Sequence, residues 1–276
     1  MATLKITSLQ AENADFTIAA VTRYLAQRLR VSTEFIVEIP WQERESQLDA
    51  GQIQVAWLCG LPYVLKADRA DPAIELLVAP VMRGARYGDQ PVYYSDVVSR
   101  RDSRFSTFAD LRGASWAYNE PGSHSGYNVV RYHLAMLGET SGYFGRVIES
   151  GAHQVSLQMI LDGRIDASAI DSTVLEQEIR RDPAIRSKVR ILETLGPSPI
   201  PPWVVQRNLS PDLRSNVRDL LLGMHQEPEG REVLANGQIT RFAHVEDTDY
   251  DLIREMARLA ESVRLQRRTL HGFAST

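Results

Sequence analysis

Apolar positions switch between two periods along this chain. Leu4 to Leu9 reads as a strand, and Ala14 to Leu29 then sets Phe16, Ile18, Val21, Leu25 and Leu29 near one helical face. Phe35 to Ile39 predicts a second strand, and Gln42 to Ala50 a short helix stopped by Gly51. Ile53 to Leu58 predicts a buried third strand that ends at Cys59-Gly60-Leu61-Pro62-Tyr63. Leu76 to Met82 is a further strand, followed by the turn-rich Arg83 to Pro91. Strands alternating with helices predict parallel βαβ units.

A second series follows. Val92 to Val98 leads out of the first unit, and Ser115 to Tyr118, Arg146 to Ile148, Ile165 to Ile170 and Val189 to Glu193 read as strands. Between them lie the helices Ser125 to Leu137, Gln154 to Leu161 and Thr173 to Arg181. Gly196-Pro197-Ser198-Pro199-Ile200-Pro201-Pro202 cannot sustain a central ladder and marks a return connection. The strand Trp203 to Gln206, helices Pro211 to Met224 and Glu229 to Ala235, and a long helix Asp249 to Leu265 complete the reading. The expected fold is α/β, with a discontinuous lobe of residues 1-92 and 197-276 and an inserted lobe of 93-196.

Composition narrows the function. With 276 residues, 43% hydrophobic and 24% charged, the chain is of ordinary globular type. A net charge of -4 gives no basic face for nucleic acid. The single Cys59 excludes an intramolecular disulfide. No apolar stretch is long enough to span a bilayer, and the start lacks an export leader, which predicts a cytoplasmic protein if Met1 is native. The histidines form no metal pair, and no Walker loop, nucleophile elbow or dinucleotide glycine pattern is present. Neither metal nor cofactor is expected.

The strongest local signal is Ser123-His124-Ser125-Gly126, where a strand passes into a helix. The first N–H groups of a helix are unpaired by construction and its dipole is positive there, so with two hydroxyls a compact oxyanion is well served. Gly126 would let the ligand approach the backbone. The plainer alternative makes Ser123 or Ser125 an N-cap and His124 a solvated loop residue. His153 and Asp171 fall on the same C-terminal sheet edge, where open α/β sheets gather ligand contacts; for Asp171 alone, capping the next helix is the preferred reading. Tyr63 and Tyr93 line a cleft or belong to the core, and of Tyr93 and Tyr94 only one faces a cleft.

The order of Gly60 to Tyr63, Tyr93-Tyr94-Ser95, Asp110-Leu111-Arg112-Gly113, Pro121 to Gly126, Gly151 to His153, Gly163 to Asp171 and Pro199 to Pro202 resembles the phosphate/phosphite/phosphonate ABC-transporter substrate-binding proteins. The resemblance implies a two-lobed type II periplasmic-binding-protein fold, with two crossing segments and a ligand cleft between the lobes. It implies non-enzymatic binding of a small oxyanion, a permease partner and a periplasmic location. The oxyanion contacts would fall on Ser123, His124, Ser125, Tyr93 and His153. His124 stands where the family often has Thr, and two protonated histidines facing a dianion would make affinity fall as pH rises. Acidic positions of phosphonate binders are matched here by Thr173 and Pro201, with Asp171 a substitute for the first, so an aminophosphonate is not implied. The alternatives are a cytosolic enzyme on the same fold, using His124, His153 and Asp171 as acid and base groups, or an effector-sensing module.

Overall fold

The computed structural model describes residues 3–265. Along the chain run β1 (Leu4–Ser8), α1 (Asp15–Leu29), β2 (Thr33–Ile36), α2 (Trp41–Asp49), β3 (Val55–Trp57), α3 (Gly60–Ala67), β4 (Ile74–Met82) and β5 (Val92–Arg100). Next come β6 (Ser115–Tyr118), α4 (Val129–Met136), β7 (Arg146–Glu149), α5 (His153–Leu161), β8 (Ala167–Asp171), α6 (Ser172–Arg181), α7 (Ile185–Lys188) and β9 (Val189–Pro199). The chain continues through β10 (Trp203–Gln206), α8 (Pro211–Gly223), α9 (Pro228–Asn236), β11 (Ile239–Ala243) and α10 (Asp251–Leu259).

The elements form two compact units. Residues 3–94 with Pro197–Arg254 make the first, whose sheet runs β11-β4-β10-β3-β1-β2. β1 is parallel to β2 and β3, whereas β10 is antiparallel to β3 and β4. Ile6 sits opposite both Phe35 and Val55 and is fully buried. On α1 the stripe Ile18, Val21 and Leu25 is buried as its spacing requires, but Phe16 at the helix start is 68% exposed.

Ser95–Gly196, joined by residues 255–265, makes the second unit, with strand order β7-β6-β8-β5-β9. β6 is parallel to β7 and β8, and β5 is antiparallel to β8. Its core stacks Trp116 on Phe144 at 4.3 Å and collects Phe108, Val130 and Leu134 with Met256, Val263 and Leu265. In each sheet the first parallel strand lies between the second and third, and an antiparallel strand from another stretch of chain follows the third.

Several expectations change. The chain passes between the units at Tyr94/Ser95 and Gly196/Pro197, and once more inside α10 at Arg254/Glu255, so residues 255–265 belong with the second unit and not the first. Residues 266–276, also expected in the first lobe, lie outside the described residues. The last helix ends at Leu259, not Leu265. α3 and β11 were not anticipated. β9 extends through Gly196-Pro197-Ser198-Pro199, which a strand tolerates because β9 is an edge, where a missing N–H interrupts no ladder on the open side.

Candidate functional site

Because β6, β7 and β8 are parallel neighbours, their C-terminal ends share one edge of the second unit's sheet, and each leads there to a helix. Ser123, His153 and Asp171 stand at those three helix starts. The turn opening the first helix, His124–Asn128, is wider than an α turn. Its first rung runs from the Asn128 N–H to the Ser123 carbonyl at 3.0 Å, and the Val129 N–H bonds the His124 carbonyl. The N–H groups of Ser125 and Tyr127 precede that rung. Ser123 caps the turn, its Oγ accepting the Gly126 N–H at 3.0 Å.

Ser125 is held from two sides. Its Oγ lies 2.9 Å from Nε2 of His153, and its carbonyl accepts from the Ser95 hydroxyl on β5 at 2.6 Å. Ser123, Ser125, Ser95 and His153 are all buried. Gly126 has a role other than the one expected. A β-carbon there would stand 2.0 Å from Oδ1 of Asn119 and 3.1 Å from Cε1 of His153, so glycine makes room for protein side chains and not for a ligand. Ser95 stands in one of the sequence motifs without a part in the expected site, and Asn119 is a site residue that the sequence reading does not single out. The pairing of Asn119 with Gly126 has no local signature, because it depends on the turn's width.

His124 is neither solvated nor charged. It has no exposed surface, its Nδ1 lies 3.2 Å from Nδ2 of Asn128, and burial pushes its pKa down to about 3. Burial likewise lowers His153 to about 4, against a weaker upward pull from the Ala169 backbone. Both rings are therefore neutral near neutral pH, and the expected pH-dependent attraction of a dianion is withdrawn. Asp171 takes the plain reading. It caps α6, with Oδ1 accepting from the Thr173 N–H at 2.8 Å and the Thr173 hydroxyl at 2.7 Å. Burial, aided by Asp96, pushes its carboxyl up to about 6 against those bonds. It faces Ser95 across the β5–β8 register.

Tyr63 and Tyr93 are in the first unit. Tyr63 is core: it packs edge-on against Tyr250 at 4.9 Å and donates to Oδ1 of Asp247 at 2.5 Å. Tyr93, on β5, is 1% exposed, while its neighbour Tyr94 is half-buried and donates to the Arg86 carbonyl at 3.1 Å. No group of three metal-ligating side chains occurs among the described residues.

The sequence model of the phosphonate ABC-transporter periplasmic substrate-binding protein family matches residues 6–250. The chain belongs to this family. Such proteins are the substrate-binding components of ABC transporters and not enzymes, so the acid–base reading of His124, His153 and Asp171 falls away. Solved structures share the fold. A binding-protein component of an ABC phosphonate transporter from Pseudomonas aeruginosa matches with a TM-score of 0.82 at 17% identity, over 94% of this chain and 86% of that one. PhnD1 from Prochlorococcus marinus, in complex with methylphosphonate, gives a TM-score of 0.82 at 18% identity over 95% and 99% of the two chains. The periplasmic aliphatic sulphonate binding protein SsuA from Escherichia coli gives 0.61 at 15% identity over 99% and 95%. The family member is thus a type II periplasmic-binding-protein fold. No helix among the described residues is long and apolar enough to cross a membrane.

Proposed function

We propose that this chain binds a small phosphonate-class oxyanion at the Ser123–Gly126 turn and presents it to a membrane permease, working in the periplasm. The observation that carries the reading is the wide opening turn at the β6 edge, with N–H groups of Ser125 and Tyr127 ahead of its first rung, Ser123 capping the turn and Ser125 held by Ser95 and His153. Oxygens of a tetrahedral anion are suited to such N–H groups, and the turn's dipole adds to the attraction without a formal cation.

The neutral His153 ring contributes orientation in place of charge. With the proton on Nε2, the ring donates to Ser125 Oγ and leaves the serine hydroxyl proton for the ligand. His124 and Asn128 brace the turn from the buried side, and the Asp171 cap holds the start of α6. Tyr63, as a core residue bonded to Asp247, has no place among the contacts.

Isothermal titration with methylphosphonate, phosphite and phosphate tests the site. The Ser123→Ala, Ser125→Ala double variant should lose about 2–4 kcal/mol of binding, as expected for charge-assisted hydrogen bonds. Unchanged affinity would place the ligand elsewhere.

A further inference from the structure

The edge of the second unit's sheet that lies opposite the Ser123–Gly126 turn collects cations from three stretches of chain. β5 carries the chain across: Ser95 faces Asp171 at the turn's edge and Ser99 faces Ala167 at the far one, where Arg100 and Arg101 leave the strand. The return from α5 to β8 brings Leu161, Gly163 and Arg164 to the same end, and α7 brings Arg186, Ser187 and Lys188 to the start of β9. These stretches touch. The Arg101 N–H donates to the Lys188 carbonyl at 2.8 Å, and Nη2 of Arg101 donates to the Arg186 carbonyl at 3.1 Å. The Arg101 carbonyl accepts in turn from Nη2 of Arg190 at 3.1 Å. A β-carbon on Gly163 would stand 2.9 Å from Nη1 of Arg100, which sets that guanidinium against the turn between α5 and β8.

Between these stretches lies a cavity of about 500 Å³ lined by Arg100, Arg101, Asp102, Leu161, Ser187 and Lys188. Its volume is that of a small-ligand site. Three cations stand there against one carboxylate, in a chain whose net charge is -4. Asp102 is committed, since its carboxylate accepts from Nε of Arg100 at 2.8 Å and also from Nη2. Ser187 donates its hydroxyl to the Ala184 carbonyl at 2.8 Å and so offers the cavity no proton. Asp162 and Asp182, which flank these stretches in sequence, do not line the cavity and accept from Nε2 of Gln158 at 2.7 Å and the Ala184 N–H at 3.0 Å. What remains is cationic: Nη1 of Arg100, Nε and Nη1 of Arg101 and the Lys188 ammonium, none of which bonds another group among the described residues.

We propose that this cavity is a second binding site, for a small multivalent oxyanion that carries three or more negative charges on adjacent groups, as a short phosphate chain or a tricarboxylate does. The open donors belong to three different side chains, so each takes an oxygen of a different anionic group. A single acidic group reaches too few of them to offset its lost hydration. The cations are exposed to a large degree, Arg100 by 42% of its side chain, so the attraction is moderate and salt-sensitive. The site shares no residue with the Ser123–Gly126 turn and stands or falls independently of it.

The test is a backbone ¹H–¹⁵N NMR titration of the full chain, following the amides of Arg101, Gly163, Ser187 and Lys188, so that binding at the turn is read separately. Sodium tripolyphosphate and citrate are the probes and distinguish phosphoryl from carboxyl groups; inorganic phosphate and acetate are the contrasts. The expected result is a saturable shift of these amides with at least one probe, about tenfold tighter than either contrast and weakened about tenfold between about 20 and about 200 mM sodium chloride. Lys188→Gln, at an exposed position whose ammonium bonds nothing, should weaken that titration about fivefold, the loss of one exposed charge pair. Arg23→Gln, which removes an exposed cation from α1 of the first unit, should leave it unchanged and so separates a local site from net charge. No saturable shift with either probe, a contrast that binds as tightly, an unaltered titration in Lys188→Gln, or an equal loss in Arg23→Gln would each overturn the proposal.

Discussion

At Gly126 the demand comes from neighbouring side chains and not from the backbone, since a β-carbon there meets Asn119 Oδ1 at 2.0 Å and the His153 ring at 3.1 Å. Gly126→Ala must therefore displace a buried amide and push the ring that fixes Ser125. A loss of about 1–3 kcal/mol in urea-monitored stability is expected from such overpacking, together with weaker methylphosphonate binding. Gly122→Ala, with nothing within 4 Å, should leave both nearly unchanged. Titration gives a second test at this scale. His124 and His153, with folded values of about 3 and 4, take up protons on unfolding as pH falls below the ordinary histidine value, so they withdraw stability from about pH 6.5 downward. Asp15 and Asp171, raised to about 6, act in the opposite sense: the folded state takes their protons first, so they add stability as pH falls from about 6 toward the ordinary carboxyl value. The two effects oppose each other between about pH 6 and 4. Asp171→Asn keeps an acceptor for the α6 cap but removes one offset, so stability should fall more steeply on acidification, by up to about 1.4 kcal/mol per pH unit. An unchanged slope in denaturation curves across that range would remove Asp171 from the balance.

Among the elements, those with strong periodicity were legible and those whose form depends on their neighbours were not. The residue ranges of α1, α2, α6 and β6 follow from apolar spacing and from stops such as Gly51, and the site's location follows from the same logic, because three helix starts had to share the edge of β6, β7 and β8. β9 was cut short at Glu193 because Gly196, Pro197 and Pro199 argue against a strand, and only its edge position makes them harmless. β11 is five residues long with Thr240 and Arg241 inside it, too little apolar pattern to stand out from a loop; it exists because β4 offers it a ladder. The wide turn at His124–Asn128 has the same character. Its sequence reads as an ordinary capped helix start, and the extra width appears only once Asn128 binds His124 and Asn119 fills the space beside Gly126. That is why Ser123 and Ser125 were found from spacing, while the neutrality of the two histidines, a consequence of burial, was not.

For the whole molecule, the decisive difference is the third passage of the chain, which gives the second unit a terminal segment that its own inserted residues do not supply. Met256, Val263 and Leu265 are 5%, 1% and 2% exposed and belong to the same core as Trp116. The segment is also held through polar groups: Arg131 on α4 donates to the carbonyls of Ala260, Glu261 and Val263, and the Arg264 N–H bonds the Thr140 carbonyl at 2.8 Å. If this segment were only a tail of the first unit, trimming its apolar side chains would affect that unit or neither. The packing predicts instead that Val263→Ala with Leu265→Ala destabilises the second unit selectively, the leucine alone by about 2–5 kcal/mol, a large share of the 5–15 kcal/mol typical of a domain. The tryptophans separate the two cases, since Trp116 lies in the second unit while Trp41, Trp57 and Trp203 lie in the first. In 5-fluorotryptophan-labelled protein, the Trp116 ¹⁹F resonance should reach its unfolded position at a lower urea concentration in the double variant than in the parent chain, with the Trp57 and Trp203 resonances holding their midpoints. A shift confined to Trp57 and Trp203 would return residues 255–265 to the first unit and restore the simpler two-passage layout.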